Sequence, residues 1–176
     1  MAPECGTLVD MTIPPPPAVF LNITARPLAA LRSSGPVQVP PNTWTPIPWT
    51  TAPVDTHGGF EPAEPTAWRA PMTGLHQGGV TVEFAYRYRF AGWFAVLVDG
   101  VRTAEFVSLQ QGWHEEDEFD DEKPPPLIHA TAPYAAAFGA KAGQRVELAV
   151  RHMAPEALTF TGVNGGPVEG SIQWLK

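Results

Sequence analysis

The residues with the densest capacity for chemistry are Glu115, Glu116, Asp117, Glu118, Asp120, Asp121 and Glu122, crowded into a proline-terminated stretch over 112–126. Carboxylates are hard oxygen donors of the kind Ca²⁺ selects. An EF-hand loop alternates its ligands around a glycine at its sharp turn, and this run does neither. A charge block so dense reads as a solvated loop that meets a basic partner or fringes a surface. The five histidines, His57, His76, His114, His129 and His152, are scattered and show no i, i+4 zinc pairing. His152 falls on the inward register of its segment and reads as a hydrogen-bonded core residue. Ser33, Ser34, Ser108 and Ser171 have no G-x-S-x-G context, and no glycine-rich phosphate loop opens a helix. Cys5 stands alone, so neither an internal disulfide nor a cysteine metal site is available. No catalytic residue, metal ligand or cofactor is therefore assigned. Four tryptophans, Trp44, Trp49, Trp68 and Trp113, lie in or beside turns. Such rings stack on sugars or anchor protein contacts. For most of them the reading is a plug at the end of a β-sandwich, and Trp113 beside the acidic run remains a candidate surface contact.

The elements that must position these residues are strands. The chain has 176 residues with 21 prolines and 16 glycines, which leave few windows for an α-helix. Trp93–Phe106 reads as two apolar runs joined by Asp99-Gly100, the signature of a type I′ hairpin whose second strand runs to about Gln110. Over Gly79–Phe90, Val80, Val82, Phe84, Tyr86, Tyr88 and Phe90 alternate with Thr81, Glu83, Ala85, Arg87 and Arg89, as in a half-buried strand. Gln144–His152 alternates likewise. Further strands are expected over 25–33, 129–138 and 171–175, and an edge or irregular strand over Thr43–Trp49, whose prolines exclude it from a sheet centre. Asp55–Phe60, Lys141–Gly143 and Asn164–Pro167 are turns. About eight short strands imply an antiparallel sandwich or jelly roll.

The charge is localised. Residues 115–123 hold seven acids and one lysine, nearly all of the net −7. The remainder is close to neutral, without the basic patch that nucleic acid or an anionic membrane would require. No apolar run suits membrane insertion, and no secretion signal is read at the start. Residues 1–23 form a Pro-rich segment, distinct from the domain over 24–176. Its Val19, Phe20, Leu21 and Ile23 are too apolar for a comfortable tail, so it reads as an extended arm that docks elsewhere.

In strand Trp93–Val98 both faces are apolar. Phe94, Val96 and Val98 form one; Trp93, Ala95 and Leu97 form the other. A sandwich strand normally turns a polar face to solvent. Trp93, Ala95, Leu97 and Phe106 are therefore a candidate subunit interface, unless a loop of the same chain covers them.

The order VPPNTWTPIPW, DTHGGF, APMTGLHQGGVTVEF, WFAVLVDGVR, KAGQRVELAVRH and SIQWL resembles one family over residues 25–176. The chain is similar to the globular C1q/TNF-like jelly rolls, in the versions carried by fibre, tail and head-decoration proteins of tailed bacteriophages. Two features depart from that pattern: the long acidic loop and the lack of a collagen-like stalk. The resemblance implies a homotrimer in which one sheet of each subunit faces its neighbours. It further implies a virion protein, assembled in host cytoplasm, whose partners are itself and other virion proteins. An adhesion module for host-surface glycan is the alternative that the same fold would serve.

Overall fold

The computed structural model describes residues 28–87, 89–110 and 127–176. The arm over 1–23 with Val19, Phe20, Leu21 and Ile23, the acidic loop over 112–126 with Trp113 and His114, and Tyr88 lie outside the described residues. The strands are β1 (Leu28–Arg32), β2 (Val37–Val39), β3 (Thr45–Pro46), β4 (Thr51–Asp55), β5 (Trp68–Arg69) and β6 (Gly74–Tyr86). They continue with β7 (Phe90–Val98), β8 (Val101–Gln110), β9 (Ile128–Ala140), β10 (Arg145–His152), β11 (Leu158–Phe160) and β12 (Glu169–Trp174). No α-helix occurs among the described residues; a 3₁₀ turn spans Val163–Gly165.

Two antiparallel sheets face each other. One is five-stranded, in the order β4-β1-β12-β6-β9; the other runs β3-β10-β7-β8, with β5 also paired to β10. The small β2–β11 ladder stands apart. Side-chain alternation sets the core. β6 sends in Val80, Val82, Phe84 and Tyr86, β7 sends in Phe94, Val96 and Val98, and β10 sends in Val146, Leu148 and Val150, all buried. Each such side chain contributes about 1.5–3 kcal/mol on burial. Phe84 stacks on Phe160 at 4.9 Å, and Phe94 lies parallel to Tyr134 at 6.0 Å.

The Asp99-Gly100 turn has the two positive φ angles, 51° and 78°, that a type I′ hairpin needs. The strand expected over Gly79–Phe90 is instead two. β6 starts earlier, at Gly74, and ends at Tyr86; β7 begins at Phe90. Between them the chain leaves β9 and β12 for β8 and β10, crossing from one sheet to the other. The alternation survives this crossing because both sheets point their apolar residues into the same core. β2, β4, β5 and β11 were not anticipated. They are two to five residues long and held by partners distant in sequence. Trp49 and Trp68 are both buried. Trp49 packs so close to Gly170 that a Cβ there would lie 2.7 Å from its ring, and Trp68 bears on Gly59 in the same way.

Candidate functional site

The outward face of the four-stranded sheet is organised in rows. Arg151, Trp93 and Val107 align across β10, β7 and β8; then Ala149, Ala95 and Glu105; then Glu147, Leu97 and Arg102. The middle row is short-chained at Ala149 and Ala95, and the indole of Trp44, just before β3, reaches an arginine of each flanking row. Its ring is 5.5 Å from the Arg102 guanidinium and 6.0 Å from that of Arg151, and Arg151 lies 5.2 Å over the Trp93 ring. The result is an alternating series Arg102–Trp44–Arg151–Trp93, held by cation–π attraction. Arg151 also donates from Nε and Nη2 to Asn42 Oδ1. Asn42 sits at φ 55° in the Pro-Pro-Asn turn, and its own N–H donates to the His152 carbonyl at 2.7 Å.

The other end of this face is ionic. Glu147, buried on its strand, accepts from Arg145 Nη2 and from Thr66 Oγ1, each at 2.9 Å. Asp99 Oδ1 accepts the Arg145 N–H at 2.9 Å, and Oδ2 accepts Gln144 Nε2 at 2.8 Å. These bonds, the backbone one foremost, hold the Asp99 carboxyl below its ordinary pKa and tie the hairpin tip to the start of β10.

The five-stranded sheet has a different outer face. Val54, Ala30, Ser171, Gly79 and Ala135 form one row across it. A depression of about 360 Å³ lies over Gly79, Ala135 and Ser171. β9 is the edge strand, and its outward residues His129, Thr131, Pro133, Ala135, Ala137 and Gly139 are all exposed. None of them is Asp, Glu, Lys or Arg. Beside it runs β8, the edge of the other sheet, with Phe106, Val107 and Leu109 exposed, the last at 72%.

The candidate interface residues are therefore divided. Ala95 is sealed, Trp93 is half-buried beneath Arg151, and Leu97 is half-buried beside Trp44. Phe106 pairs with Phe94, so it points to the opposite face of the sheet, edge-on to Tyr134 at 5.9 Å. It stays exposed only because β8 is an edge strand. Val107, not Phe106, shares the face of Trp93. The Trp44 series is what the sequence reading missed. Arg102 in β8 and Arg151 in β10 were visible, but which tryptophan they would meet depends on a strand pairing of distant segments.

His76 and His152 are fully buried. His76 Nδ1 donates to the Gly74 carbonyl at 3.2 Å, and the ring stacks on Phe138 at 5.4 Å. His152 Nε2 donates to the Val39 carbonyl at 2.8 Å, as a hydrogen-bonded core histidine should. Burial pushes both imidazoles below their ordinary pKa, with the carbonyl bonds opposing in part. Ser33 Oγ donates to the Gly35 carbonyl and accepts the Val168 N–H, a turn-fixing role. Among the described residues no group of His, Cys, Asp or Glu is arranged to hold a metal ion.

No family model matches the chain, and no curated protein matches it. Solved structures do. Murine APRIL at pH 5.0 superposes with a TM-score of 0.55 at 14% identity, over 84% of this chain and 98% of that one. The Eiger TNF of S. frugiperda gives 0.51 at 16% identity, over 86% and 94%. The fold is a TNF-like jelly roll. The Trp44 series and the β8–β9 edge meet on β8, which carries Arg102 near the turn and Phe106, Val107 and Leu109 farther along.

Proposed function

We propose that the chain is a non-catalytic display module, a homotrimeric jelly roll on the surface of a tailed-phage virion. Residues 1–23 attach it to capsid or tail through Val19, Phe20, Leu21 and Ile23. The observation that carries the trimer is the edge of β9, which among the described residues pairs with no further strand and carries no charged outward side chain. Sheet edges of free-standing proteins are defended by charges, prolines or bulges, whereas this strand of 13 residues presents one proline and no ionised Lys, Arg, Asp or Glu outward. The small residues of the adjoining face allow close approach of a second backbone, and Phe106 and Leu109 add apolar area at the rim. The order of sequence motifs supports the virion setting. A trimer multiplies weak contacts by holding three copies of each loop together.

Light scattering at micromolar concentration is expected to give about three times the 19.0 kDa of the chain. A stable monomer overturns the trimer. Removing residues 1–23 leaves the trimer soluble and stops particle incorporation; incorporation without them overturns the attachment role.

The second reading is an adhesion module for host-surface glycan. The Arg102–Trp44–Arg151–Trp93 series favours it, because aromatic rings fixed on an outward face are what saccharide binding uses. Trp113 is a further contact under this reading, and Trp113→Ala would weaken glycan capture.

A further inference from the structure

Beside the Asp99-Gly100 turn, Trp44, Leu97, Gly100 and Arg102 line a depression of about 360 Å³. That volume is at the small end of ligand clefts. Its walls are fixed in advance. The Trp44 ring is held by the Arg102 and Arg151 guanidiniums, the second of them locked to Asn42. The turn is tied down by Asp99 to Gln144 and Arg145. Gly100 has no heavy atom within 4 Å of its missing Cβ, which keeps that side open. Preorganised walls of this kind spare a ligand the ordering cost of binding.

The charge is balanced here, in a protein of net −7: Arg102 and Arg151 stand on these rows with Glu105 and Glu147. Glu147 is already engaged by Arg145 and Thr66, and Asp99 by Gln144 and Arg145. Arg102 contacts Glu105 at 3.3 Å, but both side chains are over a third exposed. A surface pair of that sort has little net strength, so the guanidinium exchanges it for another carboxylate at small cost. Its planar fork suits a carboxylate in two-point contact.

We propose that this depression binds a uronic-acid residue of an acidic polysaccharide. The ring would lie against Leu97 and the Trp44 indole, with its carboxylate on Arg102. One ring-sized apolar wall beside one guanidinium matches the single apolar face and single carboxylate of such a sugar. The site rests on the glycan-binding reading and supplies its ligand class. It lies on the outer face of the four-stranded sheet, at the turn end of β8, whereas Phe106 and Leu109 lie farther along that strand.

The test is titration of the full chain with trimannuronate and with mannotriose, which differ only in oxidation at C6, read by calorimetry and by the Trp44 indole resonance. Trimannuronate is expected to bind at least tenfold tighter, with an affinity that falls as salt rises. Arg102→Gln, at an exposed position that leaves the melting temperature unchanged, removes that preference. Trp44→Ala weakens both sugars at least tenfold, and Arg32→Gln on the opposite sheet changes neither. Equal binding of the two sugars, or trimannuronate affinity unchanged in Arg102→Gln, overturns this site and leaves the glycan reading standing. No binding of either sugar, with none on an array of acidic and neutral glycans, overturns both.

Discussion

The two sheets share one core yet present unlike outer faces. On the four-stranded sheet the outward positions are long and mutually engaged: Arg151 over Trp93, Arg102 near Trp44, Arg145 on Glu147. On the five-stranded sheet the middle row and the β9 edge are short and leave the backbone close to the surface, as at Gly79, Ala135, Ala137 and Gly139, with the engaged pairs Arg32–Glu169 and Gln77–Gln173 on the rows to either side. Long, paired side chains finish a surface that stands in solvent, since they cover apolar stems and satisfy their own charges. Short neutral ones leave a flat face that is complete only when another surface lies on it. Under the proposed trimer, the difference gives display to one sheet and association to the other.

Ala135→Glu is the strongest way to break this division. It would place a carboxylate in the middle row of the five-stranded face, once per copy, where association removes water. An unpaired buried charge costs several kcal/mol, so dissociation should strengthen by at least ~1,000-fold, about 4 kcal/mol. Arg102→Glu on the other sheet should leave the mass unchanged. Sedimentation of the two variants reads the contrast directly. If Arg102→Glu dissociates the protein and Ala135→Glu does not, the roles of the faces are reversed.

How much of this could be read from the chain alone follows from where each signal resides. The Asp99-Gly100 hairpin was legible because its turn chemistry is local, and β10 was legible because Val146, Leu148 and Val150 alternate without interruption. The break between Tyr86 and Phe90 was not, since alternation records which side faces the core and is silent on which sheet a strand joins. The apolar second face of β7 was likewise visible in Trp93, Ala95 and Leu97. Its cover, Trp44, lies about fifty residues earlier in the chain, and only the β3–β10–β7 order brings the two together. The unprotected edge of β9 was read as an alanine-rich strand. That it forms an edge at all is a property of topology, which no residue of β9 encodes.

Acid tests the core that both faces share, because each sheet buries one histidine: His76 on β6 and His152 on β10. Both have pKa values lowered by burial, so the folded chain binds fewer protons than the unfolded one. Their contribution to stability is therefore complete above the unfolded histidine pKa of about 6.5 and is lost as pH falls below it. The limiting slope is about 1.4 kcal/mol per pH unit for each histidine. The geometry agrees: among the described residues His76 Nε2 and His152 Nδ1 have no hydrogen-bond partner, so a proton added there would find no acceptor among them. Urea unfolding should show stability falling as pH drops below that pKa, with no such fall above it. Asp99 acts only below about pH 4, outside this window. His76→Phe, which can keep the stack on Phe138, should reduce the slope. An unchanged slope would assign the acid sensitivity to groups other than His76.

The smallest effect separates two ion pairs that look alike on a distance list. Arg32–Glu169 spans the five-stranded face at 2.6 Å, with side chains 50% and 62% exposed. Arg145–Glu147 on the other face is longer, 2.9 Å, but the Glu147 side chain is only 8% exposed. Distance alone would rank the first pair as stronger. Solvation reverses the order, because an exposed pair exchanges one screened environment for another. A buried carboxylate that loses its partner keeps its desolvation penalty. Arg145→Ala should therefore cost about 2 kcal/mol, with Thr66 left as a side-chain donor to Glu147. Arg32→Gln should cost less than about 0.5 kcal/mol. Denaturant melts of the two variants at neutral pH compare them. Equal losses would mean that water reaches Glu147 and that the four-stranded face is looser than its alternating arginines and tryptophans imply.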